Sequence, residues 1–143
     1  MTAYLDASVL VPLVVQEPSS PTARAWFAAQ SAEGAASSRW AIVESASGIG
    51  NRVRRGDLTP AQGRQALDAL ERDLMPELDL ADVAPADFDF ARRAIGRFDL
   101  GLRAGDALHV AVALRIDALV LVSLDRRLAN AARAFSLDAA EPS

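Results

Sequence analysis

The chain contains no cysteine, which excludes disulfide scaffolds, zinc ribbons, iron–sulfur centres and thiol catalysis. It has no lysine either, so all 15 basic residues are arginine. Schiff-base chemistry, a phosphate-binding loop with its lysine, and the lysine-dependent receiver domain are excluded with it. Long uninterrupted apolar runs are also missing. The opening MTAYLDASVLVPLVVQEP has no basic leader, carries Asp6 ahead of its apolar stretch and is broken by Pro12, so it does not read as a secretion signal. The region from Ala107 to Leu124 is cut by His109, Arg115 and Asp117 and does not read as a membrane span. A soluble, cytoplasmic protein with no membrane partner is the expectation.

What is present suits a single domain, residues 1–143. At 143 residues, 51% of them hydrophobic, the chain is long enough to bury a core without a covalent staple. Its net charge of −4 weighs against non-specific nucleic-acid binding. Local arginine patches can still outweigh that sign, because the guanidinium fork matches phosphate geometry.

Short apolar runs alternate with helical periodicity. Strands are expected at Thr2–Leu5, Ala35–Ser38, Leu78–Val83, Ala118–Val122 and, at an edge, Ser136–Ala139. Between them, Ser8–Gln16 reads as a helix that tolerates Pro12 in its first turn. Ser19, Ser20 and Pro21 signal the start of a second, running to about Ala32 before Gly34. Arg39–Arg55 carries an apolar stripe of Ile42, Ala46, Ile49 and Val53. Thr59–Pro60 opens a helix to Pro76 with Leu67, Leu70 and Leu74 on one face, and Pro85 opens one bearing Phe88, Ala91, Ile95 and Phe98. Ala104–Arg115 is apolar nearly all round and hence central. Asp125–Ala134 is the last. This alternation predicts an α/β fold with a mainly parallel sheet, whose ligands bind beyond the carboxyl ends of the strands.

Four acids stand in apolar or small-residue frames. Asp6 and Asp125 each follow a strand and precede a helix, Asp106 opens the central helix, and Glu44 lies opposite its helix's apolar stripe. Each has a bland role: Asp6 and Asp125 as helix caps, Asp106 at the positive end of a helix dipole, Glu44 on a solvated face. Together they suggest a shared site. Carboxylates gathered at one point repel one another unless a counter-charge is supplied. With no lysine, an arginine or a hard divalent cation must supply it, and an all-carboxylate donor set favours Mg²⁺ or Mn²⁺ over zinc. Such an ion activates water and neutralises charge on a phosphodiester, the logic of metal-dependent nucleases.

At these residues the sequence resembles the PIN-domain family and, more narrowly, the VapC ribonuclease toxins of type II toxin–antitoxin pairs. YLDASVLVPLVVQEP, WAIVESASG, LRAGDALHVAVAL and VLVSLDRRLANAA match the family's four acidic segments in order. The resemblance implies a three-layer α/β/α sandwich and a Mg²⁺- or Mn²⁺-dependent endoribonuclease. Asp6, Glu44, Asp106 and Asp125 would hold the metal and water activated by it would cut RNA, leaving 5′-phosphate and 3′-hydroxyl ends. It also implies a homodimer and a small antitoxin whose tail lies across the site, where an arginine could compete for the same carboxylates.

Ser8 and Ser123, two residues from strand-end acids, are expected to orient those acids by hydrogen bonds, or else to serve as plain turn hydroxyls. His109 reads as a core or interface residue sharing a helix side with Asp106. Ser47, Asn51 and Arg55 continue a polar stripe from Glu44. Asn51 and Arg55, with Arg126, are candidate RNA contacts; Arg92, Arg93, Arg97, Arg103 and Arg127 are similar, against the alternative of surface ion pairs. Two other readings compete. One is a catalytically silent PIN-like binding module. The other is a haloacid-dehalogenase-type phosphatase, which would need a second aspartate at Ser8 and a downstream lysine.

Overall fold

The computed structural model describes residues 2–30 and 34–143. Five short parallel strands form the centre: β1 (Ala3–Leu5), β2 (Ala35–Ser38), β3 (Leu78–Ala81), β4 (Val120–Val122) and β5 (Asp138–Ala140), in the order β3-β2-β1-β4-β5. The intervening helices are α1 (Ala7–Val14), α2 (Ser20–Ala29), α3 (Arg39–Arg54), α4 (Pro60–Ala69), α5 (Pro85–Ile95), α6 (Ala104–Arg115) and α7 (Arg126–Ala134).

Alternation along β1 and β4 builds the layers. Tyr4 and Leu121 point into a core formed with α5, α6 and α7. Ala3, Leu5 and Val122 point the other way, into a core formed with α1 and Ala41 of α3. Each central strand is therefore apolar throughout, as expected of a strand covered on both faces. The result is a three-layer α/β/α sandwich. Among the described residues, no helix is long and apolar enough to cross a membrane.

Chain order fixes where a site can form. The chain runs from β1 outward through β2 to β3, then crosses back to lay β4 against the other side of β1. The strand order therefore reverses between β1 and β4, and a crevice opens at their carboxyl ends. The pairing of Leu5 with Val122 brings the residues that follow, Asp6 and Ser123, to this crevice.

Several sequence expectations need correction. Pro12 lies beyond the first turn of α1. The expected end of the second helix at Ala32 falls outside the described residues. In α3 the buried positions are Ala41, Ser45 and Ile49, with Ile42, Ala46 and Val53 flanking them. The helix from Pro60 does not run unbroken to Pro76. It passes at Leu70–Leu74 into a wider π-helical turn, then a 3₁₀ turn at Met75–Glu77. Gly63, Ala66, Leu70 and Leu74 are buried, whereas Leu67, one residue off that line, is exposed. Helix α5 buries Asp87, Ala91 and Ala94, with Phe90 and Ile95 packed against the same core. Phe88 is 56% exposed, and Phe98, past the helix end, is 86% exposed. Asp87 is buried because it accepts the Ala84 amide at 2.7 Å and the Arg115 guanidinium at 2.9 Å. Ser136 adopts a left-handed φ of 61°, so β5 begins at Asp138 instead of Ser136.

Candidate metal centre at the carboxyl ends of β1 and β4

Asp6 ends β1 and begins α1. Its backbone oxygen accepts the amides of Val9 and Leu10, both at 3.2 Å, but its side chain caps nothing. The carboxylate is instead buried and held from two sides: Ser8 Oγ donates to Oδ1 at 2.6 Å and Ser123 Oγ donates to Oδ2 at 2.7 Å. Each hydroxyl oxygen also accepts a backbone amide of the β4–α7 turn. Leu124 N–H donates to Ser8 at 2.8 Å, and Asp125 N–H donates to Ser123 at 2.9 Å. The two serines thus tie both strand ends together and hold one acid from both sides. Burial pushes the Asp6 carboxyl above the usual carboxylate range; the His109 ring and the serine hydroxyls oppose this, and Glu44 adds to it.

Asp125 lies two residues past Ser123, at the start of α7; it is exposed, and its Oδ1 accepts the Arg127 and Leu128 amides at 3.0 and 3.4 Å. The capping role expected of it is therefore observed. Asp106, in the first turn of α6, is half-buried. Burial raises its carboxyl above the ordinary range; the charges of Asp125, Glu44 and Asp6 push it further, and His109 opposes them. The four acids therefore share one electrostatic neighbourhood, although they arise from four separate stretches of chain.

Glu44 is not a solvated helix residue. Its Oε1 is hydrogen-bonded to His109 Nε2, and His109 is almost fully buried. The Glu44 side chain reaches toward the start of α6, where only glycine leaves room. A Cβ on Gly105 would lie 2.8 Å from Glu44 Oε2 and 3.2 Å from Trp40 Cζ2. These residues line a cleft of about 680 Å³ with Arg103, Ala104, Asp106, Asp125, Arg126 and Arg127.

The cleft does not collect every candidate. Asn51 and Arg55 lie farther along α3, outside the lining; Asn51 bonds Arg54, and Arg55 pairs with Asp57 at 2.9 Å. Arg126 lines the cleft and reaches Glu141 at 3.4 Å. Among the described residues, Arg103 and Arg127 have no carboxylate partner. Sequence spacing did not identify Tyr4, Trp40 or Gly105 as parts of this region, nor His109 as the partner of Glu44. The placement of His109 three residues after Asp106 was the one available signal.

The all-oxygen donor chemistry suits a hard divalent cation. Among the described residues, no three acidic or histidine side chains already stand close enough to enclose one. Glu44 and Asp125 each have one oxygen engaged with protein partners, His109 and the α7 amides; these two line the cleft with Asp106, whereas Asp6, Ser8 and Ser123 lie outside its lining.

The comparisons agree with this architecture. VapC20 of Mycobacterium tuberculosis, a sarcin–ricin loop cleaving toxin, is similar with a TM-score of 0.72 at 18% identity, over 90% of this chain and 94% of that one. FitAcB of Neisseria gonorrhoeae gives 0.75 at 15% identity, over 98% and 97% of the two chains. VapBC2 of Rickettsia felis, bound to a DNA fragment from its promoter, gives 0.71 at 15% identity over the whole of both chains. At these identities the likeness is one of fold. Among curated proteins no sequence relative matches. The PIN domain family model matches residues 3–134, a span that includes both strand ends, all four acids and both serines, and the chain belongs to the PIN-domain family.

Proposed function

We propose that this chain is a Mg²⁺- or Mn²⁺-dependent endoribonuclease and the toxin of a type II toxin–antitoxin pair, folded as one domain. The observation that carries the reading is that Glu44, Asp106 and Asp125 line one cleft while buried Asp6, behind it, lies near enough to act on Asp106, with the Asp6 and Asp106 carboxyls both pushed upward by burial and by their neighbours. Perturbed acids in a cleft are a mark of functional sites. The fold relatives that are toxins or toxin–antitoxin complexes add support.

Asp6, Glu44, Asp106 and Asp125 would hold the cation, Asp6 fixed by Ser8 and Ser123 and Glu44 by His109. When bound, the ion supplies positive charge at the scissile phosphate and lowers the pKa of water. Arg103, Arg126 and Arg127 on the rim engage the RNA backbone, where guanidinium groups fix register without reading sequence. Asn51 and Arg55 lie too far along α3 to join them at the cleft and serve at most as outlying RNA contacts. The partners that complete the proposal are a second copy of the chain, forming a homodimer, and a small antitoxin whose arginine competes for the acids, all in the cytoplasm.

A phosphatase of the haloacid-dehalogenase type is disfavoured because Ser8 donates to Asp6 where that chemistry needs a second acid. The test is cleavage of a labelled RNA with Mg²⁺ or Mn²⁺. Cleavage is expected to stop with EDTA and to fall about a hundredfold or more in a folded Asp6→Asn variant, since even supporting partners of a metal ligand are worth 10–100-fold. Undiminished cleavage by that variant refutes the proposal; a folded wild-type protein that neither cuts RNA nor binds the ions favours the silent module.

A further inference from the structure

We propose that Tyr4 and His109 form a buried brace that aims the Glu44 carboxylate into the cleft, which makes His109 a positioning residue for the cation site. The inference rests on the metal-dependent reading above and concerns how one acid is held there.

The brace joins four elements, β1, β2, α3 and α6. Ser38 Oγ, at the start of α3, accepts the Ala41 amide at 3.1 Å. Ser38 Oγ lies 2.8 Å from the Tyr4 hydroxyl, and that hydroxyl lies 2.8 Å from His109 Nδ1. His109 Nε2 then meets Glu44 Oε1. One assignment of protons satisfies every atom with a neutral ring: Ser38 donates to Tyr4, Tyr4 donates to Nδ1, and the proton on Nε2 is given to Glu44. The partner on one ring nitrogen thereby dictates what the other nitrogen can do. Burial keeps the Tyr4 phenol protonated, with its pKa far above the ordinary value. The Tyr4 and His109 rings also meet edge to face, with centroids 5.7 Å apart, which limits rotation of the imidazole.

Glu44 has reason to need such a hold. It sits beside Asp106, on the same cleft, and like charges drive a flexible glutamate outward toward solvent. Among the described residues, His109 is its only side-chain hydrogen-bond partner. With Oε1 held by the ring, Oε2 faces the first turn of α6, close to where a Gly105 Cβ would be. One oxygen is committed to the brace and the other remains available to the cleft.

The test is the rise in melting temperature of the full chain on titration with Mn²⁺, supported by calorimetric Kd values. His109→Gln can keep a donor near the Nε2 position; His109→Asn keeps only the reach of Nδ1. Mn²⁺ affinity is expected to stay within about threefold of wild type in His109→Gln and to fall about tenfold in His109→Asn, the scale for a partner of a metal ligand. Adding His109→Asn to Glu44→Gln is expected to weaken binding no further. Should His109→Asn fail to fold, Tyr4→Phe carries the test, with about threefold weakening expected on the same scale and none overturning the brace. A purely packing role predicts lower metal-free melting temperatures in both histidine variants with an unchanged Mn²⁺ response, which also overturns it. An Mn²⁺ response in wild type that is equal in His109→Asn defeats the brace alone. No response in wild type defeats the metal reading and the brace together.

Discussion

A leucine and an aspartate lead into the helix after β1 (Leu5–Asp6) and into the helix after β4 (Leu124–Asp125), yet the two aspartates do different things. Asp125 is exposed and accepts two amides of its own helix. The Asp6 carboxylate accepts none; it is buried, and its oxygens are taken by one serine two residues away and another just past the end of β4. A capping aspartate is worth about 1 kcal/mol to its helix, and α1 forgoes that contribution. The contrast shows that position after a strand does not decide whether an acid is a cap. The presence of a competing donor does. Ser8 and Ser123 can reach Asp6, whereas Asp125 has only the amides ahead of it.

The sharpest way to break the comparison is Asp6→Asn. Asparagine keeps the shape and removes the charge, and the serine hydroxyls can turn to accept its amide. Without the cation, at neutral pH, the variant is expected to melt a few degrees above wild type while losing RNA cleavage, the trade expected where a site is built at the expense of stability. A clear loss of melting temperature alongside intact cleavage would place Asp6 with the structural caps.

Ser8→Ala combined with Ser123→Ala leaves the buried carboxylate without side-chain donors. Hydrogen bonds to charged groups contribute about 1.5–3 kcal/mol, so a loss near the lower figure is expected in urea unfolding, together with weaker Mn²⁺ binding. Equal loss from alanine in place of an exposed serine would show that these two are ordinary turn residues.

The third effect depends on pH. The folded Asp6 carboxyl has a pKa raised above its ordinary value of 3.8, chiefly by burial. Between those two values the folded chain keeps a proton that the unfolded chain has released, so stability contributed by this group falls as pH rises through the window. Below the ordinary value both states are protonated and nothing is lost. The melting advantage of Asp6→Asn over wild type, measured in EDTA, is therefore expected to vanish near pH 4 and to widen toward neutrality. An advantage independent of pH would assign it to packing.

The smallest change is expected at the other strand end. Asp125→Asn should leave stability unaltered, because asparagine caps as well as aspartate, while Asp125→Ala costs about 1 kcal/mol. Thermal unfolding of the two variants distinguishes a cap from a charge.

Parts of this arrangement were legible in the sequence because they depend on short-range patterning. β1 and β4 are apolar throughout and α6 nearly all round, so their runs stand out, and the acids that punctuate them are conspicuous by contrast. The π-helical turn at Leu70–Leu74 interrupts the period on which the Leu67 stripe was read. Phe88 and Phe98 share helical spacing with Ala91 and Ile95, a stripe suited to the core or to a dimer contact, and Asp87 with its Arg115 partner fixes a different face inward and leaves both phenylalanines exposed. The pairing of Glu44 with His109 spans 65 residues, and no spacing rule encodes it. Nor does local pattern reveal that Ser123 turns toward Asp6 while Asp125 turns away.

The central claim is that acids from four stretches of chain act together on one hard cation. Its most direct test is an electron paramagnetic resonance titration with Mn²⁺, in which bound ion loses the signal of free ion. Wild type is expected to bind Mn²⁺, with binding lost in both Asp6→Asn and Asp106→Asn while each variant stays folded. Binding that survives both substitutions, or that is absent from folded wild type, would contradict the account.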